Sequence, residues 1–174
     1  MHDAGYEKRW RRYAVVTVPA ILLAGSASGW LSNSGYGNAW FDALAKPSFM
    51  PPGWVFGVVW PVLYALLGIA LALVLAARHT PRRREALTLF FVQLALNFAW
   101  SPIFFGAHDI RLAKLVIFVM AAVAAVAAGR FFRIDKRAGL LLVPYLAWLI
   151  LAAVLNSTVE SLNPGAGSSL IGLR

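Results

Sequence analysis

Five long apolar runs, separated by short polar breaks, constrain this 174-residue chain more than any other feature. They cover residues 14–31, 54–77, 86–106, 112–129 and 138–159, and at 1.5 Å per helical residue each can cross a hydrocarbon core of ~30 Å. Lipid offers no water to unpaired backbone groups, so runs of this length fold as helices. The expectation is an all-α integral membrane protein, one domain built as a bundle of five transmembrane helices. A basic segment, residues 1–13, leads into the first helix, and residues 160–174 read as a flexible tail. The first run exceeds the ~7–15 apolar residues of a signal peptide core, and Gly25, Ser28 and Gly29 offer it small faces for packing, so it reads as a span.

Composition bears on what the charge means. The net charge is +9, yet only 13% of residues are charged and 60% are hydrophobic, unlike a soluble nucleic-acid binder. The basic residues sit at the ends of the runs. Lys8, Arg9, Arg11 and Arg12, then Arg78, Arg82, Arg83 and Arg84, then Arg130, Arg133, Lys136 and Arg137 share one side; Lys46, Arg111, Lys114 and Arg174 share the other. The positive-inside rule puts the N-terminus in the cytoplasm and the first loop and C-terminus outside, most simply in a bacterial cell membrane. The basicity is thereby explained as topology, with no nucleic-acid partner.

Residues 32–53 form the one connection long enough for structure of its own. Asn33, Ser34, Gly35, Tyr36, Gly37 and Asn38 read as turn, and residues 39–45 as about two helical turns stopped by Lys46-Pro47. Trp40, Phe41 and Phe49 make this loop either a lid over the helix ends or an interfacial anchor.

Four runs contain a proline, Pro19, Pro61, Pro102 and Pro144, each of which removes a helical hydrogen bond and kinks its helix, favouring an internal cavity. Three runs carry polar and aromatic groups at helical spacing: Gln93, Asn97 and Trp100; Phe56, Trp60 and Tyr64; Tyr145, Trp148, Ala152 and Asn156. An amide in hydrocarbon demands a partner, so these faces turn inward, either to bond helix to helix or to line a site for a flat, largely apolar molecule. All seven acidic residues and all three histidines lie at run ends or in loops, and cysteine is absent. Proton-coupled transport, metal chemistry and Ser/His/Asp hydrolysis therefore lack their parts.

The ordered motifs resemble the translocator protein family, also called tryptophan-rich sensory or peripheral-type benzodiazepine receptor proteins. Lys46-Pro47, Pro51-Pro52-Gly53-Trp54-Val55-Phe56, Trp60 and Leu63-Tyr64 match its first-loop and second-helix signature. Gln93-Leu94, Asn97, Trp100-Ser101-Pro102 and Phe104-Phe105-Gly106 match the third, and Val143-Pro144-Tyr145-Leu146-Ala147-Trp148 with Leu155-Asn156 the fifth. The resemblance implies a homodimer binding porphyrins of the protoporphyrin IX class, or drug-like hydrophobic molecules, without a required cofactor or metal. It implies a site lined by Trp40, Trp60, Gln93, Asn97, Trp100, Tyr145 and Trp148, under a lid carrying Lys46, Pro47, Phe49, Pro51 and Pro52, with Lys46 facing the propionates. Tetrapyrrole transport or stress sensing is the implied role. Light-dependent porphyrin breakdown, with Trp40 or Trp148 as candidate participants, and a purely structural bundle are the rivals. Three departures stand out: Phe49 replaces the family's loop tryptophan, the helix-five sterol motif lacks its Tyr and basic residue, and Thr88 and Val92 occupy the small-residue dimer motif.

Overall fold

A computed structural model describes residues 4–77 and 81–167. Arg78 of the second basic group, His79, His2, Asp3, Arg174 and the tail beyond Gly167 lie outside the described residues. Among the described residues seven α-helices follow one another: α1 (Ala4–Leu31), α2 (Ala39–Ala43), α3 (Gly53–Ala76), α4 (Pro81–Ser101), α5 (Ile110–Ile134), α6 (Lys136–Leu141) and α7 (Val143–Leu162), with a π-helical turn (Pro102–Gly106) extending α4. Taken with that turn and with α6 and α7 as one unit, they make five helices long and apolar enough to cross a membrane. The protein is an integral, multi-pass helical bundle.

α1 packs chiefly on α3, α4 on α5, and α5 on α7. Glycine sets the α1–α3 distance. A Cβ on Gly68 would lie 2.6 Å from the Val18 Cα, and one on Gly25 would collide with the Tyr64 ring. The close approach lets Thr17 Oγ1 donate to the Gly68 carbonyl at 2.7 Å.

The prolines act in different ways. Pro19 and Pro61 sit inside α1 and α3. Pro102 has no N–H for the Phe98 carbonyl four residues before it; Ser28 Oγ of α1 donates to that carbonyl at 2.6 Å, and the chain widens into the π-helical turn. Pro144 breaks its run instead: α6 ends at Leu141 and α7 restarts at Val143 with the proline in its first turn, where the missing N–H costs nothing.

Three boundaries differ from the sequence expectation. α1 starts at Ala4, so the basic segment is helical from that residue on; Tyr6 is buried, its hydroxyl donating to Asp135 Oδ2 at 2.6 Å, and Glu7 accepts from Trp10 Nε1 and pairs with Arg137. α5 runs on to Ile134 because Phe131 stacks on Phe90 at 5.2 Å and Arg130 pairs with Glu85 at 2.8 Å, so its charged end is anchored. The tail is tied down as far as Ala166: Asn163 exchanges two 2.8 Å hydrogen bonds with the Ala45 backbone, and Trp40 Nε1 donates to the Ala166 carbonyl at 3.2 Å.

Asp135 turns the chain between α5 and α6. Its Oδ1 accepts from the Arg137 amide at 2.8 Å, capping α6, and Arg137 Nη2 reaches Oδ2 at 3.3 Å. Burial opposes its ionisation, but the Tyr6 hydroxyl and Arg137 outweigh that and hold its carboxyl below the ordinary range.

Candidate ligand site

The bundle encloses a cavity of about 690 Å³ beneath the first loop, within the size range of small-molecule sites. Its walls come from α1, α3, α4, α5 and α7, and its roof from the loop. Gly25, Ser26 and Gly29 keep the α1 side thin. Phe56 and Trp60 of α3 meet Trp148 of α7 edge to face, with ring centroids 5.6 and 6.3 Å apart, which makes one wall aromatic.

The polar groups lie in two tiers. At mid-depth, Tyr64 donates to Asn97 Oδ1 at 2.9 Å, and Asn97 Nδ2 donates to the Tyr145 hydroxyl at 3.1 Å. That chain joins α3, α4 and α7 and uses much of the amide's capacity. Nearer the roof, Trp100 stacks on Phe104 at 4.9 Å, and Asn156 Nδ2 donates to the Ile110 carbonyl at 3.0 Å. Trp100 Nε1 and Asn156 Oδ1 are buried there without a partner, and both residues line the cavity.

The roof follows from local chemistry. Asn38 Oδ1 caps α2 by accepting from the Phe41 amide at 3.1 Å, and Gly35 and Gly37 take the positive φ that the preceding turn needs. The helix is five residues long, shorter than expected, because Lys46 Nζ closes it by donating to the carbonyls of Phe41, Asp42 and Leu44 at 2.6, 3.2 and 3.1 Å. This phase buries Phe41 over the cavity, with Tyr36 and Met50 beside it.

Of the expected lining residues, Trp60, Asn97, Trp100 and Trp148 meet at the cavity. Tyr145 is wholly buried behind Asn97. Gln93 is wholly buried one turn further along α4, both its amide atoms unpartnered, and lies outside the lining. Trp40 is turned away: it stacks on His108 at 4.3 Å and packs edge-on to Phe104, so the aromatic that faces the cavity is its neighbour Phe41. Lys46 Nζ donates to the loop's own carbonyls and is not among the residues that line the cavity. Among the lid residues, Phe49 is exposed, Pro51 accepts the Tyr36 hydroxyl at 3.2 Å, and Pro47, Pro51 and Pro52 shape the loop without lining the cavity. Sequence reasoning passes over Phe41 as a lining residue, although Asn38 as a cap three residues earlier is the signal that phases it inward. Asn156 lies on the polar face of the fifth run but is absent from the expected lining. Among the described residues no group of three His, Cys, Asp or Glu side chains could hold a metal ion.

Fold and site together define a multi-pass membrane bundle with an aromatic, internally bonded cavity under a structured loop. The match to known proteins is specific: residues 15–162 fit the TspO/MBR family, and the chain belongs to that family. It is 39% identical over 129 residues to protein CrtK of Rhodobacter capsulatus, covering 74% of this chain and 81% of that one. It is 36% identical over 149 residues to the tryptophan-rich protein TspO of Archaeoglobus fulgidus (86% and 95%), and 39% over 133 residues to the human translocator protein (75% and 79%).

Proposed function

We propose that this protein is a membrane receptor or carrier that takes flat hydrophobic ligands, porphyrins of the protoporphyrin IX class among them, into the bundle cavity, in tetrapyrrole transport or stress sensing. It works as a homodimer in the bacterial cell membrane, with the N-terminus cytoplasmic and the first loop and C-terminus outside. The observation that carries the reading is the wall formed by Phe56, Trp60 and Trp148, facing a cavity of about 690 Å³. Indole rings set edge to face leave their remaining faces free to stack on a planar guest, and each aromatic pairing contributes ~0.5–1.5 kcal/mol beyond burial. The names of the relatives, a translocator and tryptophan-rich proteins, agree with transport or sensing in a membrane.

The test is equilibrium titration of protoporphyrin IX into the protein in lipid nanodiscs, read from porphyrin fluorescence. Replacing Trp60 and Trp148 together by Leu is expected to weaken binding by about tenfold or more, from two lost stacking contacts. Unchanged affinity in a variant with a native unfolding midpoint removes the assignment.

A further inference from the structure

The outer face of α4 carries a feature that the cavity does not use. Phe90, Gln93, Leu94 and Asn97 turn into the bundle and are buried, so the opposite face of this helix looks out on the bilayer. There two rows of side chains at i, i+4 spacing stand side by side: Arg83, Leu87, Phe91 and Ala95 in one, Arg84, Thr88 and Val92 in the other. Between them lies a furrow of about 520 Å³. From residue 83 to residue 95 it runs ~18 Å at 1.5 Å per residue, close to the ~15 Å depth of one leaflet.

The furrow is charged at one end and apolar along the rest. Its charged mouth lies where the span beginning at Arg82 starts, at the depth of the lipid headgroups. Arg83 Nη1 donates to the Ala77 carbonyl at 2.7 Å, which fixes that side chain against the end of α3. Arg84 is exposed, and among the described residues no carboxylate pairs with it: the neighbouring Glu85 is taken by Arg130 at 2.8 Å. Further along, the Thr88 hydroxyl donates to the Arg84 carbonyl of its own helix at 3.1 Å, so beyond the mouth the furrow offers no donor to a guest.

Three observations set a lipid above a second copy of the chain as the occupant. Close helix pairs in membranes need small side chains, and here Phe91 and Val92 stand large and half-exposed. A two-fold pairing about the membrane normal would set two Arg84 guanidinium groups at the same depth, facing each other without a counter-charge. Thr88 has spent its proton within its own helix and donates nothing across an interface. A flexible acyl chain follows the furrow as it stands, and a phosphate supplies the anion that Arg84 lacks.

We infer that this face of α4 binds an anionic phospholipid, its phosphate against Arg84 and one acyl chain in the furrow as far as Ala95. The headgroup charge decides which lipid stays, and the chain decides that a lipid is bound rather than free phosphate. The dimer proposed above is thereby left to another face of the bundle.

The test is native mass spectrometry of the full chain, freed of lipid and titrated with dioleoylphosphatidylglycerol or dioleoylphosphatidylcholine, which share their chains and differ in charge. One phosphatidylglycerol is expected to bind about fivefold more tightly than phosphatidylcholine, the worth of one arginine near anionic lipid. Arg84→Gln should abolish that preference, whereas Arg12→Gln, which removes another exposed cation, should keep it. Val92→Trp, which fills the furrow, should weaken both lipids alike. Equal binding of the two lipids to the wild type overturns the inference without recourse to any variant. Equal losses from Arg84→Gln and Arg12→Gln overturn it too, since a diffuse basic surface would then be acting. Competition by glycerol 3-phosphate, a headgroup without chains, would remove the furrow from the site and overturn it as well. The chain has no cysteine, so Ala95→Cys reports the other occupant cleanly: disulfide-linked dimers in nanodiscs would seat a second copy on this face and overturn the lipid. Protoporphyrin IX titration of Arg84→Gln is expected to match the wild type, so each of these outcomes stands apart from the cavity's proposed role.

Discussion

Ser28→Ala tests how the bundle tolerates the proline beside its cavity. Pro102 deprives the Phe98 carbonyl of its donor four residues on, and Ser28 Oγ supplies one from α1 at 2.6 Å. Hydrogen bonds between membrane helices average only ~0.6 kcal/mol, with a maximum near ~1.7, because partners are usually found elsewhere. Here the acceptor's ordinary intrahelical donor is chemically missing, and an unsatisfied buried group costs ~1–3 kcal/mol. The upper end of the membrane range applies, so Ser28→Ala should cost about 1–1.7 kcal/mol, roughly a five- to twentyfold change in the unfolding equilibrium. The assay is reversible unfolding in mixed micelles for wild type, Ser28→Ala, Pro102→Ala and the double variant. Alanine at 102 restores the N–H, so on that background the serine change should cost less than about 0.5 kcal/mol, and the cycle should show coupling of about 0.5–1.7 kcal/mol. Equal cost on both backgrounds would refute the reasoning, since the carbonyl would then be satisfied without Ser28.

The packing leads to three further expected outcomes. Gly25→Ala drives a methyl into the Tyr64 ring, so it should cost ~1–3 kcal/mol by overpacking and displace the phenol from Asn97, seen as a lower unfolding midpoint and a perturbed tyrosine signal. Asp135 has a lowered folded-state pKa, so its contribution is complete at neutral pH, above the unfolded value near 3.8, and is lost as pH falls below that. Asp135→Asn should therefore destabilise at pH 7 by ~1–2 kcal/mol, discounted because Arg137 is partly exposed, and the gap from wild type should close in acid; a gap independent of pH counts against the ion pair. Phe41→Ala should speed porphyrin dissociation in stopped-flow measurements several-fold, whereas Trp40→Ala should do so less, because Phe41 alone of the two faces the cavity; the reverse order would contradict a roof closed by Phe41.

Much of the site could be read from spacing. Asn97 and Trp100 share a helical face, as do Trp60 and Tyr64, and an amide within a transmembrane run has few options except to face inward. Spacing could not tell which inward residue meets empty space. Gln93 lies on the same stripe as Asn97 yet is buried outside the lining, because depth along the helix axis, not angle around it, separates them. Tyr145 and Trp148 are likewise only three residues apart, one bonded behind the wall and one forming it. In the loop, periodicity fails altogether: a five-residue helix has no stripe, and the Asn38 cap with the Lys46 closure decides that Phe41 rather than Trp40 looks inward.

By itself the sequence determined that five helices cross a membrane, because hydrocarbon leaves an apolar run of some twenty residues no other way to satisfy its backbone. Family membership is equally a sequence property, carried by motifs over residues 15–162. Tertiary structure alone decided what each polar group does. Whether a hydroxyl rescues a proline's carbonyl, whether an amide is spent on a tyrosine or left facing a cavity, and whether a lysine meets a ligand or a helix end all depend on atoms distant in the chain. Hydrogen bonds act over about 3 Å, and only the folded bundle brings such partners that close.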